Sequence, residues 1–211
     1  MGKIIVPDGW EPAKLLADLS HFDVVDSLAA MMKDGVEGFI LKLGQGAIID
    51  KAFPGMRDRL HTIEGSPLDA VYWFLDPGVS AVSQSALISL HRPSGVGLYF
   101  DLESTDEDPT KDRWLDMKLD ARQALLGSVV GRYKAETGVH PGLYVTADYW
   151  LNVFGDPDGY EACPWWGPRY GDKEPVQPRN LGPWVGWQFT EYATVDGVEG
   201  SKNVDLSVFR S

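Results

Sequence analysis

Val96-Gly97-Leu98-Tyr99-Phe100-Asp101-Leu102-Glu103 is an apolar run ending on two carboxylates, and the polar loop over residues 104–111 follows it. The longest helical stretch in the chain comes next, residues 110–136, closing at Gly138. A buried strand feeding a helix is half of a parallel β/α unit. Successive strand residues point to opposite faces, so Asp101 and Glu103 project to one side, about 7 Å apart along the strand. Burying like charges so close together raises at least one pKa, leaving a carboxylic acid still protonated near neutral pH beside a carboxylate that is not. That is the equipment of a glycosidase. Taken alone, the motif is equally a strand that ends in solvated acids.

The alternation repeats outward from this unit. Residues 15–19, 39–43 and 70–75 read as strands. Residues 21–33, with Val24, Val25, Leu28, Met31 and Met32 at helical spacing and a stop at Gly35, read as a helix, as do residues 80–90. Residues 1–14 form an extension that Pro7, Gly9 and Pro12 make irregular. On the other side, residues 143–146 are a fifth strand, followed by a short helix over 148–154. Residues 165–170, 185–190 and 204–209 are again strand-like, but the segments between them are too short or too rich in Gly and Pro for crossover helices. The expected fold is α/β: one irregular TIM-like barrel of about five β/α units followed by three strands without crossover helices. It takes up residues 1–211 as a single domain with no separate wall-binding domain.

Composition narrows the function. Nineteen basic against thirty-one acidic residues give a net charge of −12, which opposes binding to a nucleic-acid backbone or an anionic surface. The opening MGKIIVPDGWEP has one Lys and three consecutive apolar residues, the pattern of neither a signal peptide nor a membrane span, so synthesis in the cytoplasm is expected. A single cysteine, Cys163, excludes an internal disulfide and a multi-cysteine metal site, and beside Pro164 and Trp165 it reads as packed. His21, His61, His91 and His140 fall one per segment, which argues against metal chemistry; no cofactor is expected. Eight Trp and eight Tyr, several beside Gly and Pro in the C-terminal third, are a large stock of the flat rings on which sugars stack.

In parallel barrels the chemistry gathers at the C-terminal ends of the strands. Asp18 ends the first strand, Asp101 and Glu103 the fourth, and Asp205 starts the last. If the last strand runs opposite to its neighbours, its start opens at the same mouth and four carboxylates ring one pit. Individually, Asp18 could cap the following helix and Asp205 a turn.

Eight pieces in order, DLSHF (18–22), GFILKLGQG (38–46), AVYWF (70–74), YFDLE (99–103), PGLYVT (141–146), PWWGPRY (164–170), VGWQFT (185–190) and VDLSVF (204–209), resemble the family 25 glycoside hydrolases, the muramidases often called Chalaropsis-type lysozymes. The resemblance implies a β/α barrel with a groove across its mouth that cuts the β-1,4 bond between N-acetylmuramic acid and N-acetylglucosamine in bacterial peptidoglycan. It makes Glu103 the general acid and Asp101 its ionised partner, with Asp18 and Asp205 holding sugar groups or a water and tuning the pair. Tyr72, Trp73, Tyr144, Trp166, Tyr170 and Trp187 are its candidates for the groove wall. With no signal-peptide pattern at the start, such an enzyme is expected to reach the wall through a phage lysis system, from a virion or on cell lysis, and a monomer is favoured. One departure stands out. Where the family pattern K-A-x-E-G has Glu, this chain has Gln45, which can bind sugar or water but cannot act as a base. Gln45 therefore also fits a catalytically weak or silent glycan-binding module.

Overall fold

The computed structural model describes residues 13–65, 67–199 and 203–210. The extension expected over residues 1–14 lies outside them, except that Ala13 and Lys14 already belong to the first strand. In chain order the elements are β1 (Ala13–Leu19), α1 (Leu28–Lys33), β2 (Gly38–Gln45), β3 (Ile48–Ile49), α2 (Phe53–His61), β4 (Leu68–Phe74), α3 (Ala81–His91), β5 (Gly97–Asp101), α4 (Leu119–Thr137), β6 (Gly142–Tyr144), α5 (Ala147–Tyr149), β7 (Trp165–Pro168), β8 (Trp184–Ala193) and β9 (Val204–Arg210). A π-helical turn, Trp150–Phe154, continues α5.

Eight strands close into a barrel in the order β1-β2-β4-β5-β6-β7-β8-β9, and β3 forms a short hairpin on the end of β2. All neighbours from β1 round to β8 are parallel. Only β9 runs antiparallel to both its neighbours, β8 and β1, so its first residues open at the mouth where the other strands end. Five β/α units followed by three strands without crossover helices is the architecture expected from the sequence.

Two-residue periodicity sorts every strand into two faces. Leu15, Ala17, Leu41, Leu43, Val71, Trp73, Phe100, Leu143, Trp165, Trp187, Leu206 and Val208 point outward into one large apolar layer beneath the helices. Leu16, Ile40, Ala70, Tyr144 and Trp166 point inward and, with Tyr72, Tyr99 and Phe209, fill the barrel. The interior is tight: a Cβ on Gly186 would sit 2.5 Å from Cζ of Phe209, so only glycine lets that ring cross the barrel. Local signals set the helix ends. Ser27 and Ser80 accept N–H bonds from Ala30 and Ser83 at the starts of α1 and α3, and α4 stops at Gly138 with φ +80°, the left-handed position that glycine takes without strain.

Three expectations are corrected. The helix read over residues 21–33 occupies only Leu28–Lys33, because the segment before it is tied down: Asp23 accepts the Ser20 N–H at 2.7 Å, Val25 bridges to Val198, and the N–H groups of Asp26 and Ser27 bond to Gly197 O. The helix read over 110–136 begins at Leu119. Buried Asp112 holds residues 105–114 in turns instead, accepting N–H bonds from Thr105 and Trp114 and the Tyr149 hydroxyl at 2.5 Å. Finally, β3 and α2 were not anticipated: Pro54-Gly55 looks like a breaker, but Pro sits in the first turn of α2, where a missing N–H costs nothing. Among the described residues no helix is long and apolar enough to cross a membrane.

Candidate active site

Because Asp18 and Asp205 are direct partners across the antiparallel β1–β9 pair, the reversal of the last strand sets two carboxylates side by side at the mouth. Asp101, the last residue of β5, lies in register with Tyr144 of β6. The strand read over residues 96–103 ends here, two residues short of Glu103, which stands on the following loop. Asp18, Tyr72, Asp101, Glu103, Tyr144, Trp166, Gln188 and Asp205 line one cavity of about 60 Å³. The four predicted acids therefore share a pit.

Their exposure is graded. Asp101 is 4% exposed and Asp18 8%, Asp205 is half-buried, and Glu103 opens to solvent at the mouth. Burial raises the pKa of all four, because each charged form loses water that the pit does not replace. Repulsion from Glu103 lifts Asp101 further, and the charge of Asp205 lifts Asp18; Asp205 itself is pushed up to about 7, by burial first and then by the charges of Asp23, Glu191 and Glu103, while a hydrogen bond with Asp18 lowers it. The carboxyls of Asp101 and Glu103 lie within hydrogen-bond reach of each other and titrate as a pair. The bond between them raises Asp101 and lowers Glu103, yet burial leaves both above the ordinary carboxylate range, so the pair holds a proton that Glu103, at the mouth, can deliver. One Asp101 oxygen, Oδ1, is buried without a hydrogen-bond partner among the described residues.

Three residues not anticipated from the sequence complete the site. Gln188 spans the pit: its Nε2 donates to Asp18 (3.2 and 3.3 Å) and Asp205 (3.3 Å), while its Oε1 accepts from the Tyr144 hydroxyl at 2.7 Å. An amide can face carboxylates and a phenol at once because it is donor on one side and acceptor on the other. Lys42, 7% exposed on the inward face of β2, is the cation that lowers both Asp101 and Glu103. Asp23, at the rim, raises Asp18 and Asp205. A signal for Gln188 existed in VGWQFT: if Trp187 faces out, period two puts Gln188 inside.

The aromatic candidates divide by the same parity. Tyr72, Tyr144 and Trp166 line the pit, with Trp166 anchored through its Nε1–H to Ser207 at 3.0 Å. Tyr170, half exposed, stands at the rim with its hydroxyl 3.4 Å from Gln188. Trp73 and Trp187 are corrected: both are fully buried in the outer layer, donating to Gln84 and to the Arg169 carbonyl, and form no part of a groove. Gln45 lies outside the pit, at the edge of a neighbouring cavity lined also by His21, Lys42, Gly44, Ile48, Ile49, Asp50 and Lys51. Cys163 is buried and its thiol pushed up to about 11 by loss of water, so it carries no thiolate chemistry. Among the described residues no group of three or more His, Cys, Asp or Glu side chains is arranged to hold a metal ion.

The fold is shared with solved structures. A bacterial lysozyme from Streptomyces coelicolor superposes with a TM-score of 0.81 at 20% identity, covering 95% of this chain and 94% of that one. The modular autolysin LytC from Streptococcus pneumoniae, solved in complex with a synthetic peptidoglycan ligand, gives 0.76 at 19% identity over 95% of this chain and 47% of that one. In sequence, lysozyme M1 from Streptomyces globisporus is 34% identical over 79 residues, 37% of this chain and about a quarter (26%) of the relative's length. Residues 17–198, from β1 to the loop before β9, match the family described as glycosyl hydrolases family 25, and the chain belongs to that family.

Proposed function

We propose that this chain is a muramidase, hydrolysing the β-1,4 bond between N-acetylmuramic acid and N-acetylglucosamine in bacterial peptidoglycan. The observation that carries the reading is the graded pit: four carboxyls with raised pKa values around one cavity, of which Glu103 alone opens to the mouth. A cavity of 60 Å³ has room for about two water molecules, so it takes a substituent such as an N-acetyl arm while the sugar ring lies across the mouth. Glu103 then meets the glycosidic oxygen. Proton transfer to that oxygen releases the leaving sugar while positive charge growing on the ring is stabilised by the acid pit beneath it; a water molecule then bonds to the anomeric carbon and gives its proton back to the Asp101–Glu103 pair. Glu103 loses its proton in the first of these steps, and Lys42 stabilises the resulting carboxylate.

Asp101 forms a hydrogen-bonded, jointly titrating pair with Glu103. Its part in the reading is to share and return the proton; Asp18, Asp205, Gln188 and Tyr144 hold the arm in the pit. Relatives named as lysozymes, and LytC bound to a peptidoglycan ligand, support the substrate class. Because Gln45 lies outside the pit, the change from Glu removes no carboxylate from it, which weighs against a silent binding module. Recognition by the groove itself, and delivery through a phage lysis system or a virion, belong to the same proposal and rest on the sequence alone.

Purified peptidoglycan incubated with wild type, Glu103→Gln and Asp101→Asn tests it. Wild type should clear the suspension and release fragments ending in reducing muramic acid, and both variants should bind wall without clearing it. Binding without release by wild type, or reducing N-acetylglucosamine ends, would contradict the assignment.

A further inference from the structure

Beside the acid pit lies a cavity of about 220 Å³ over the end of β2 and the β2–β3 hairpin, lined by His21, Lys42, Gln45, Ile48, Asp50 and Lys51 with the intervening backbone. In a chain of net charge −12 this cavity is lined by two lysines and one carboxylate. His21 Nδ1 and Asp50 Oδ2 face each other at 2.6 Å, so the Asp50 carboxylate is already engaged, and Lys42 and Lys51 are the cavity's two lysines. Lys42 is the informative one. It is more than nine-tenths buried, yet among the described residues it makes neither a hydrogen bond nor an ion pair; its ammonium rests over the rings of Phe22, Tyr72 and Phe74 at 5.9, 5.9 and 5.3 Å. A buried ammonium that rests on ring faces and makes no hydrogen bond retains unused donors, although the charges of Asp101 and Glu103 are also within its reach. Apolar surface surrounds it: Phe22 is 73% and Ile48 67% exposed. Small-molecule sites are built in this way, with apolar walls and a few convergent polar groups.

We propose that this cavity receives a carboxylate-bearing arm of the substrate sugar, with Lys42 at its inner end and Lys51 at its rim. The inference rests on the muramidase reading for the glycan, and adds what that reading does not contain: a charge-selective subsite for the acidic arm, next to the pit that takes the neutral one. Lys42 links the two, since it lines this cavity and its charge also reaches Asp101 and Glu103. The carboxylate can be the sugar's own lactyl group or the end of a short stem peptide attached to it. Gln45, at the same edge, suits the assignment because a carboxylate there would repel the arm.

Three tetrasaccharide probes distinguish the sources: one with free lactyl carboxylates, one with these converted to neutral methylamides, and one carrying a dipeptide that ends in a carboxylate. Calorimetric binding to Glu103→Gln reads the preference whether or not the chain hydrolyses the sugar. One of the two acidic probes should bind about two- to fivefold more tightly than the methylamide, the difference shrinking with added salt. Lys51→Glu should remove that difference, and Ile48→Lys should enlarge it; both positions are exposed, so neither change threatens the fold. Equal binding of all three probes, or a preference that survives Lys51→Glu, would overturn the subsite while leaving the wall-glycan reading intact. Failure to bind any probe would overturn both.

Discussion

Trp187 and Gln188 are neighbours on β8 and belong to different worlds. Trp187 points outward, is fully buried, and is one tile of the apolar layer between barrel and helices. Gln188 points inward and connects two carboxylates to a tyrosine in the pit. The same division separates Trp73 from Tyr72 on β4 and Phe100 from Asp101 on β5. The outer face stabilises the protein; the inner face at the mouth holds like charges together at a cost in stability. A one-residue step in the strand is the whole difference between them.

Four substitutions probe that division, in order of expected effect. Glu103→Gln removes the proton donor at the mouth and should lower the rate of peptidoglycan hydrolysis by about 10²–10⁴-fold, with urea unfolding unchanged or slightly strengthened. Trp187→Ala should act on the other face, lowering unfolding free energy in urea by about 3–5 kcal/mol with little change in the turnover of the folded fraction. If instead Trp187→Ala spared stability and abolished turnover, the division would be wrong. Gln188→Leu is nearly the same size but leaves Asp18, Asp205 and Tyr144 without their shared partner; a fall of about 10–100-fold in kcat is expected. Because the Gln188 bond lowers Asp18, its loss should also move the acid limb of the pH–rate profile upward.

The smallest effect concerns stability against pH. Carboxyls whose folded pKa lies above the unfolded value bind protons more tightly in the native state, so their contribution is fully present below about pH 4 and is lost as pH rises through the folded values. For Asp205 that window runs from 3.8 to about 7. Within it, Tm should fall for these groups as pH rises, and Asp205→Asn should flatten the fall and raise Tm at pH 7 by about 2–4 °C while reducing activity. A Tm that drops in Asp205→Asn at pH 7 would show that the carboxylate stabilises the fold.

How much of this was legible in the sequence follows the same line. The strands and the order of β/α units were readable because each strand is a short apolar run between turn signals, and the Asp18, Asp101 and Asp205 positions because acids at strand ends stand out against such runs. Connections too short for crossover helices left the direction of β9 open, and its reversal entered only as the condition under which four acids share one mouth; the β1–β9 and β8–β9 pairings supply it. What escaped notice depended on partners distant in sequence. Residues 21–27 have helical spacing, but a turn closed on Ser20 and bonds to Gly197 and Val198 keep them out of the helix. Residues 110–118 have no local sign that Asp112 will bind Thr105, Trp114 and Tyr149. Lys42 is a lysine in an apolar strand, and Trp73 and Trp187 are aromatics in apolar strands; composition favours the rings as sugar platforms, whereas parity around the barrel puts the lysine inside and the rings outside.

Site-resolved ¹³C NMR titration of the side-chain carboxyls most directly tests the claim that the acids share one water-poor pit. Asp18, Asp101 and Glu103 should titrate above the ordinary carboxylate range of about 3.9–4.3, Asp205 near 7, and Asp101 and Glu103 should show joint, two-step curves that become single steps in Asp101→Asn. Four independent curves at ordinary values would contradict the account.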